Sequence, residues 1–260
     1  MRLHFEKFGR GKPAYVFLHG FLGSGDNWRS VAKSLSLPGT YYLVDARNHG
    51  RSPHATTHRY SDLAGDLAEM LEAENWPAAH FLGHSMGGKA AMYLALHFPA
   101  RVSSLVVVDI APRAYVGGHE PLLEALHKVD LNVLRREEVE KQLAEYIADS
   151  GVRLFLLKGL ARDEKGRFIW RFNLPVLQSE YVHVIAAVEG APYRGPTLFV
   201  RGERSTYILA EDKPDIFRLF PKARIETVPQ AGHWVHVDNP AYLISLLHEF
   251  WGSLPEPGEE

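Results

Sequence analysis

The sharpest chemical signal in this sequence is Gly83-His84-Ser85-Met86-Gly87. A serine between two glycines, after an apolar strand-like run and before a small-residue helical stretch, is the arrangement of a nucleophile elbow. The turn from strand into helix is tight, so Ser85 is expected to adopt strained backbone angles that lift its Oγ clear. Side chains at 83 and 87 would collide with adjacent backbone, and both positions are glycine. The new helix aims free N–H groups at the charge that develops in acyl transfer, and Met86 N–H is the nearest donor. The pentapeptide alone is weak: at a usage of about 7% each for Gly and Ser, roughly one chain in ten of this length carries it by chance. An overlapping pattern, Gly83-x-x-x-x-Gly88-Lys89, imitates a phosphate-binding loop. Ala90 stands where that loop needs a hydroxyl for Mg²⁺, so Lys89 is read as a solvated helix residue.

Ser85 needs a general base to take its proton. Among 14 histidines, His233 in Gln230-Ala-Gly-His-Trp-Val-His236 is the candidate. It follows the last strand-like run and precedes the last helical one, and Gly232 permits a sharp turn there. His84 adjoins the nucleophile and is expected to point away from its Oγ. His19 reads as structural, and His236 as support for the base's loop. Serine hydrolases with this elbow carry their acid between serine and histidine. The usual slot reads Arg201-Gly-Glu203-Arg-Ser205, with Ser205 where the acid is expected. A hydroxyl cannot supply the charge that stabilises an imidazolium. Two acids therefore stay open: Asp109, ending the apolar run Val106-Val-Val-Asp109, and Glu203. A second oxyanion donor is expected from Phe21 N–H, after His19-Gly20, with Leu22 as its neighbouring alternative. Phe21, Leu22 and Trp234 also place apolar side chains near the site. Leu22 and Trp234 are the candidate substrate contacts.

The elements that must position these residues are legible as alternating short apolar runs and helical stripes. Ala14–Leu18, Tyr41–Val44, Ala78–Leu82, Val102–Val108, Thr197–Val200 and Ala223–Val228 read as strands, and Met1–Phe8 has strand alternation. Asp26–Leu37, capped by Asp26, then Ser61–Glu74, Met86–His97, Asp212–Phe220 and Ala241–Trp251 read as helices. Continuous apolar strands covered on both faces imply an α/β fold with a mostly parallel sheet. Residues 112–191 break the rhythm, with helices expected near 119–130, 135–149 and 174–189. They read as an insertion covering the carboxyl ends of the strands, where such sheets bind ligands. The 260 residues divide into a core of 1–111 and 192–260 and a helical cap of 112–191.

Composition narrows the classes. The absence of cysteine excludes thiol nucleophiles, disulfide scaffolds and Cys-ligated metals. Lys+Arg 29 against Asp+Glu 31 argues against a nucleic-acid partner. No apolar run reaches the 18 residues of a membrane span. The start lacks a signal-peptide pattern, so a cytoplasmic protein is the default, and Pro255–Glu260 reads as a frayed tail. A small-molecule substrate and no metal or organic cofactor are expected.

Taken together, these motifs resemble the α/β-hydrolase fold family: His19-Gly-Phe21, Asp45-Ala-Arg-Asn-His-Gly-Arg-Ser52, Gly83–Gly88 and Gly232-His-Trp234. Within it, the chain is similar to the small bacterial YbfF-type esterases and their mitochondrial relatives in animals. Gly83–Lys89, Asp109-Ile-Ala-Pro112, Phe155-Leu-Leu-Lys158, Trp170–Leu177 and Gly232–His236 carry that likeness. Such proteins lack an acid in the usual slot and carry Asp after the preceding strand, which supports Asp109. The resemblance implies esterase or thioesterase activity on acyl esters, extending to acyl-CoA, and a helical cap to which Trp170–Leu177 would belong as core packing. A serine nucleophile argues against the dehalogenases and epoxide hydrolases of this fold, which use Asp. Carbon–carbon hydrolases, perhydrolases and lyases share the serine triad, and a slow-turnover ligand sensor is the alternative of a different class.

Overall fold

The computed structural model describes residues 1–254, and the tail expected at 255–260 lies outside them. The strands are β1 (Phe5–Arg10), β2 (Ala14–Leu18), β3 (Gly39–Val44), β4 (Ala79–His84), β5 (Val102–Val108), β6 (Leu160–Arg162), β7 (Phe168–Trp170), β8 (Thr197–Gly202) and β9 (Ala223–Val228). Seven of them form one sheet in the order β1-β3-β2-β4-β5-β8-β9, while β6 and β7 pair separately. β1 runs antiparallel to β3 at the edge, and every other pair in the large sheet is parallel. The helices are α1 (Arg29–Ser34), α2 (Tyr60–Ala73), α3 (Met86–His97), α4 (Glu120–Lys128), α5 (Arg136–Ala144), α6 (Ser150–Lys158), α7 (Leu174–Ser179), α8 (Tyr181–Val184), α9 (Lys213–Leu219), α10 (Val235–Asp238) and α11 (Pro240–Gly252).

Strand alternation builds two cores. In β5, Leu105 and Val107 face the layer that holds α2 and α3, whereas Val106 and Val108 face the layer with α1 and α11. Burial on both faces is why the central strands read as unbroken apolar runs. The first core continues without a break into residues 112–191 through Leu123, Leu126, Val139, Leu143, Leu156 and Leu177.

Several expectations change. Asp26 is not a helix cap: residues Gly25–Trp28 form a 3₁₀ turn, and Asp26 pairs instead with Arg29 at 2.6 Å. Its carboxylate is drawn to the guanidinium one turn on, and Ser24 takes the position before the turn. Lys89 is not solvated either, being only 1% exposed. Helix α3 is buried on all sides over Met86–Met92. It packs between the sheet and α2 under the inserted segment, so its first turns present no face to water. The insertion holds five helices, and the polar stretch Arg162–Arg167 forms the end of β6 and the turn to β7.

At the carboxyl edge, the Asp45–Ser52 motif acts as a fastening. Asp45 Oδ1 accepts from Gly25 N–H at 2.7 Å, and its Oδ2 from Arg51 N–H at 2.8 Å. Arg47 reaches α2 in a bidentate pair with Asp66, at 2.6 and 2.8 Å. Asn48 Oδ1 accepts from Asn173 Nδ2 at 3.1 Å, which ties the Trp170–Leu177 segment to this loop. Two histidines then fasten the loop after β2. His19 Nε2 accepts from Ala46 N–H at 3.0 Å, and His49 Nε2 accepts from Leu22 N–H at 3.1 Å. Both must be neutral to accept, and burial lowers both below the ordinary imidazole value.

Asp45→Ala removes two charge-assisted acceptors from a buried turn and should cost on the order of 2–4 kcal/mol, read as a lower midpoint in chemical denaturation. A pH series should show a second effect. Burial holds His80 and His236 near 4 and His58 near 3, against the ordinary 6.5. Between about 6.5 and about 4 the unfolded chain binds more protons than the fold, so stability falls as pH drops through that window. His80 and His236 should each withdraw on the order of 3 kcal/mol by its lower end. Denaturation at pH 7 and pH 5 should show the lower stability at pH 5, with uptake of more than one proton on unfolding.

Candidate active site

Strand β4 delivers the chain to Ser85, where φ is 52° and ψ is −118°, outside the regions an L-residue favours. Packing enforces this strain from both sides. A Cβ on Gly83 would strike the carbonyl of Gly87, and one on Gly87 would lie 2.5 Å from His19 O. Ser85 N–H donates to Val108 O at 3.0 Å, which pins the elbow to β5. Ser85 Oγ has no hydrogen-bond partner among the described residues and opens into a cavity of about 280 Å³.

His233 lines the same cavity, on the loop after β9. Its Nδ1 lies 2.8 Å from Asp109 Oδ2. Asp109 follows β5 at φ 53° and is completely buried. Its Oδ1 accepts from Gly202 N–H at 2.9 Å, and its Oδ2 also accepts a short bond from the Ser205 hydroxyl. Three donors therefore converge on this carboxylate, as a buried charge requires. With Nδ1 donating to Asp109, the His233 Nε2 lone pair is left for a proton acceptor's task. Glu203, by contrast, is exposed and accepts from Gln230 N–H at 2.8 Å. The structure thus brings Asp109, not Glu203, to the imidazole.

Two rings pack on the His233 imidazole. Tyr207 stacks on His233 at 3.8 Å with 21° between planes, and His84 lies 4.6 Å away on a tilt. His84 Nε2 donates to His233 O at 2.8 Å. Burial, followed by repulsion from His233 and His236, keeps His84 well below the ordinary imidazole value and so neutral. His236 packs on Trp28 at 4.6 Å behind the loop. Ser205 and Tyr207 were not singled out by sequence as partners of the acid and base. The signal available for Ser205 was its place in the usual acid slot.

The loop after β2 faces the elbow. Leu22 N–H is engaged by His49, and Leu22 itself has φ 60°. Phe21 N–H has no acceptor among the described residues, and Met86 N–H belongs to the unbonded first turn of α3. Phe21, Leu22 and Trp234 all line the cavity, with Val152, Phe155 and Leu122 from the inserted segment. Trp234 packs on Phe155 at 5.4 Å. A second cavity of about 200 Å³ also opens at Ser85 and Met86, walled by Tyr60, Tyr115, Tyr181 and Tyr207. None of Trp170–Leu177 lines either cavity; Trp170 stacks on Phe172, and Leu174 and Leu177 are buried. No helix among the described residues is long and apolar enough to cross a membrane.

Comparisons with known proteins bear on the fold. The family model of the alpha/beta hydrolase fold matches residues 13–240. The sn-1-specific diacylglycerol lipase ABHD11 of Mus musculus is 41% identical over 248 residues, covering 92% of this chain and 80% of the mouse protein. Esterase YbfF of Escherichia coli is 35% identical over 237 residues, covering 90% of this chain and 91% of that protein. The solved structure titled "Marine microorganism esterase" superposes with a TM-score of 0.93 at 39% identity, covering 96% of this chain and 99% of that one. With an elbow, a seven-stranded sheet and a sequence match of this extent, the chain belongs to the α/β-hydrolase fold family.

Proposed function

We propose that this protein is a serine hydrolase that cleaves carboxylic esters or thioesters through an acyl-enzyme on Ser85. The observation that carries the reading is the 2.8 Å link from a fully buried Asp109 to His233, in the cavity that a strained Ser85 faces. The relatives named as esterase and as diacylglycerol lipase support ester substrates.

In this reading Ser85 Oγ attacks the substrate carbonyl while its proton passes to His233 Nε2. Asp109 holds the imidazole in the required tautomer and stabilises the imidazolium. Phe21 N–H and Met86 N–H receive the oxyanion. His233 gives its proton to the departing alcohol or thiol. It then takes one from water, which attacks the acyl-enzyme and frees Ser85. Leu22 and Trp234 line the pocket for the apolar part of the substrate. Residues 112–191 act as a cap over a core of 1–111 and 192–260, a division supported by the side chains they lend to both cavities. The partner is a small acyl ester or thioester rather than nucleic acid. A cytoplasmic setting is proposed from the sequence alone.

Ser85→Ala should abolish both turnover of short p-nitrophenyl esters and labelling by a fluorophosphonate. Retained labelling would assign the nucleophile elsewhere. Asp109→Asn should lower kcat by about 10³–10⁴, because the amide imposes the wrong imidazole tautomer. Glu203→Gln should remain within a few-fold of wild type, on the order of 1 kcal/mol or less. A dead Glu203→Gln beside an active Asp109→Asn would transfer the acid's role.

A further inference from the structure

Lys89 is a buried cation that the hydrolytic chemistry leaves without a task. It lies one helical turn beyond the nucleophile, its backbone N–H donating to Ser85 O at 3.0 Å. Its Nζ donates to three main-chain carbonyls: Arg113 O at 2.8 Å, Ala186 O at 2.5 Å and Ile185 O at 3.4 Å. An ammonium has three N–H bonds, and this set engages all of them. Nζ also stands 4.7 Å from the ring centre of Tyr115.

The three carbonyls come from two stretches of chain. Arg113 lies at the start of the inserted segment, just after β5, and Ile185 and Ala186 lie near its end. The two stretches also bond to each other, Tyr115 N–H to Ile185 O at 2.8 Å and Val188 N–H to Pro112 O at 2.7 Å. Ile185 O thus accepts from both Tyr115 and Lys89. Tyr115, Val184, Ile185 and Lys89 line the second cavity together with Ser85 and Met86.

We propose that Lys89 is a positioning residue whose ammonium clamps both ends of the inserted segment to the nucleophile helix and thereby sets the wall of the second cavity that discriminates substrates. Burial, then repulsion by Arg113, lowers Lys89 to about 7. The carbonyl acceptors oppose that loss by favouring the charged form. A hydrophobic side chain of similar length would fill the space but leave the Arg113 and Ala186 carbonyls without this donor and Ile185 O with Tyr115 N–H alone. The ends of the segment would then drift relative to Ser85, and a misplaced wall penalises substrates in proportion to how far they reach against it.

The inference rests on the hydrolase reading, and the experiment separates the two. Wild type and Lys89→Met are compared on p-nitrophenyl acetate, p-nitrophenyl hexanoate and naphthyl acetate, with labelling by a small fluorophosphonate. We expect Lys89→Met to label, and its kcat/KM for at least one larger ester to fall about tenfold more than for p-nitrophenyl acetate. Lys89→Arg, which keeps charge and donors, should recover part of that ratio. Unchanged ratios would overturn the clamp, as would uniform loss with loss of labelling, which would place Lys89 in the activation of Ser85. A wild type that neither labels nor turns over any ester would defeat the hydrolase reading instead. Hydrogen exchange at the Tyr115 and Val188 amides tests the clamp independently of activity. Should Lys89→Met not fold, Lys89→Gln, which lacks the charge and the reach to all three carbonyls, is read by the same ratios and exchange. Faster exchange in the variant supports the clamp, and unchanged protection removes it.

Discussion

A carboxylate with no exposed surface has to find its hydration inside the protein, and Asp109 finds it in three donors drawn from two separate stretches of chain. Gly202 ends β8, Ser205 lies just after it, and His233 lies after β9. Satisfying one charge therefore fixes the distance between the ends of three neighbouring strands. A buried ion that loses one partner is far more costly than an exposed one. That asymmetry makes the arrangement nearly all-or-none, and it ties the loop that carries His233 to the end of β5.

Around this charge the protein keeps a layer of neutral imidazoles. His19 and His49 accept backbone N–H groups, His84 donates to the carbonyl of the base, and His236 packs behind it. An imidazole can be donor at one nitrogen and acceptor at the other, so it joins two stretches of backbone where a lysine or an aspartate would carry a net charge into a dry place. This scaffolding role accounts for His19, His49, His84 and His236 among the 14 histidines.

The elbow was legible because its constraints are local. Gly83 and Gly87 meet backbone only a few residues away or on the adjacent strand, and the strain at Ser85 follows from turning a strand directly into a helix. The strands were legible because burial on both faces writes itself as an unbroken apolar run. The acid was not settled by the residues alone, since Asp109 and His233 are 124 positions apart and Glu203, unlike Asp109, lies beside the usual slot at Ser205. What decides between them is which carboxylate the sheet buries. Lys89 was misread for a related reason. A charge within a helical stretch implies water on one face, and only the inserted segment, whose own packing leaves no short-range signature, shows that there is none.

The inserted segment leaves the core directly after the acid and rejoins it before β8, which ends at Gly202 with Ser205 just after it. None of the donors to Asp109 comes from within it. Its length and composition can therefore drift between lineages without disturbing the charged centre. The charged centre and the part of the pocket wall lent by the inserted segment thus lie on separable stretches of chain, so that part of the wall can change while the centre is kept.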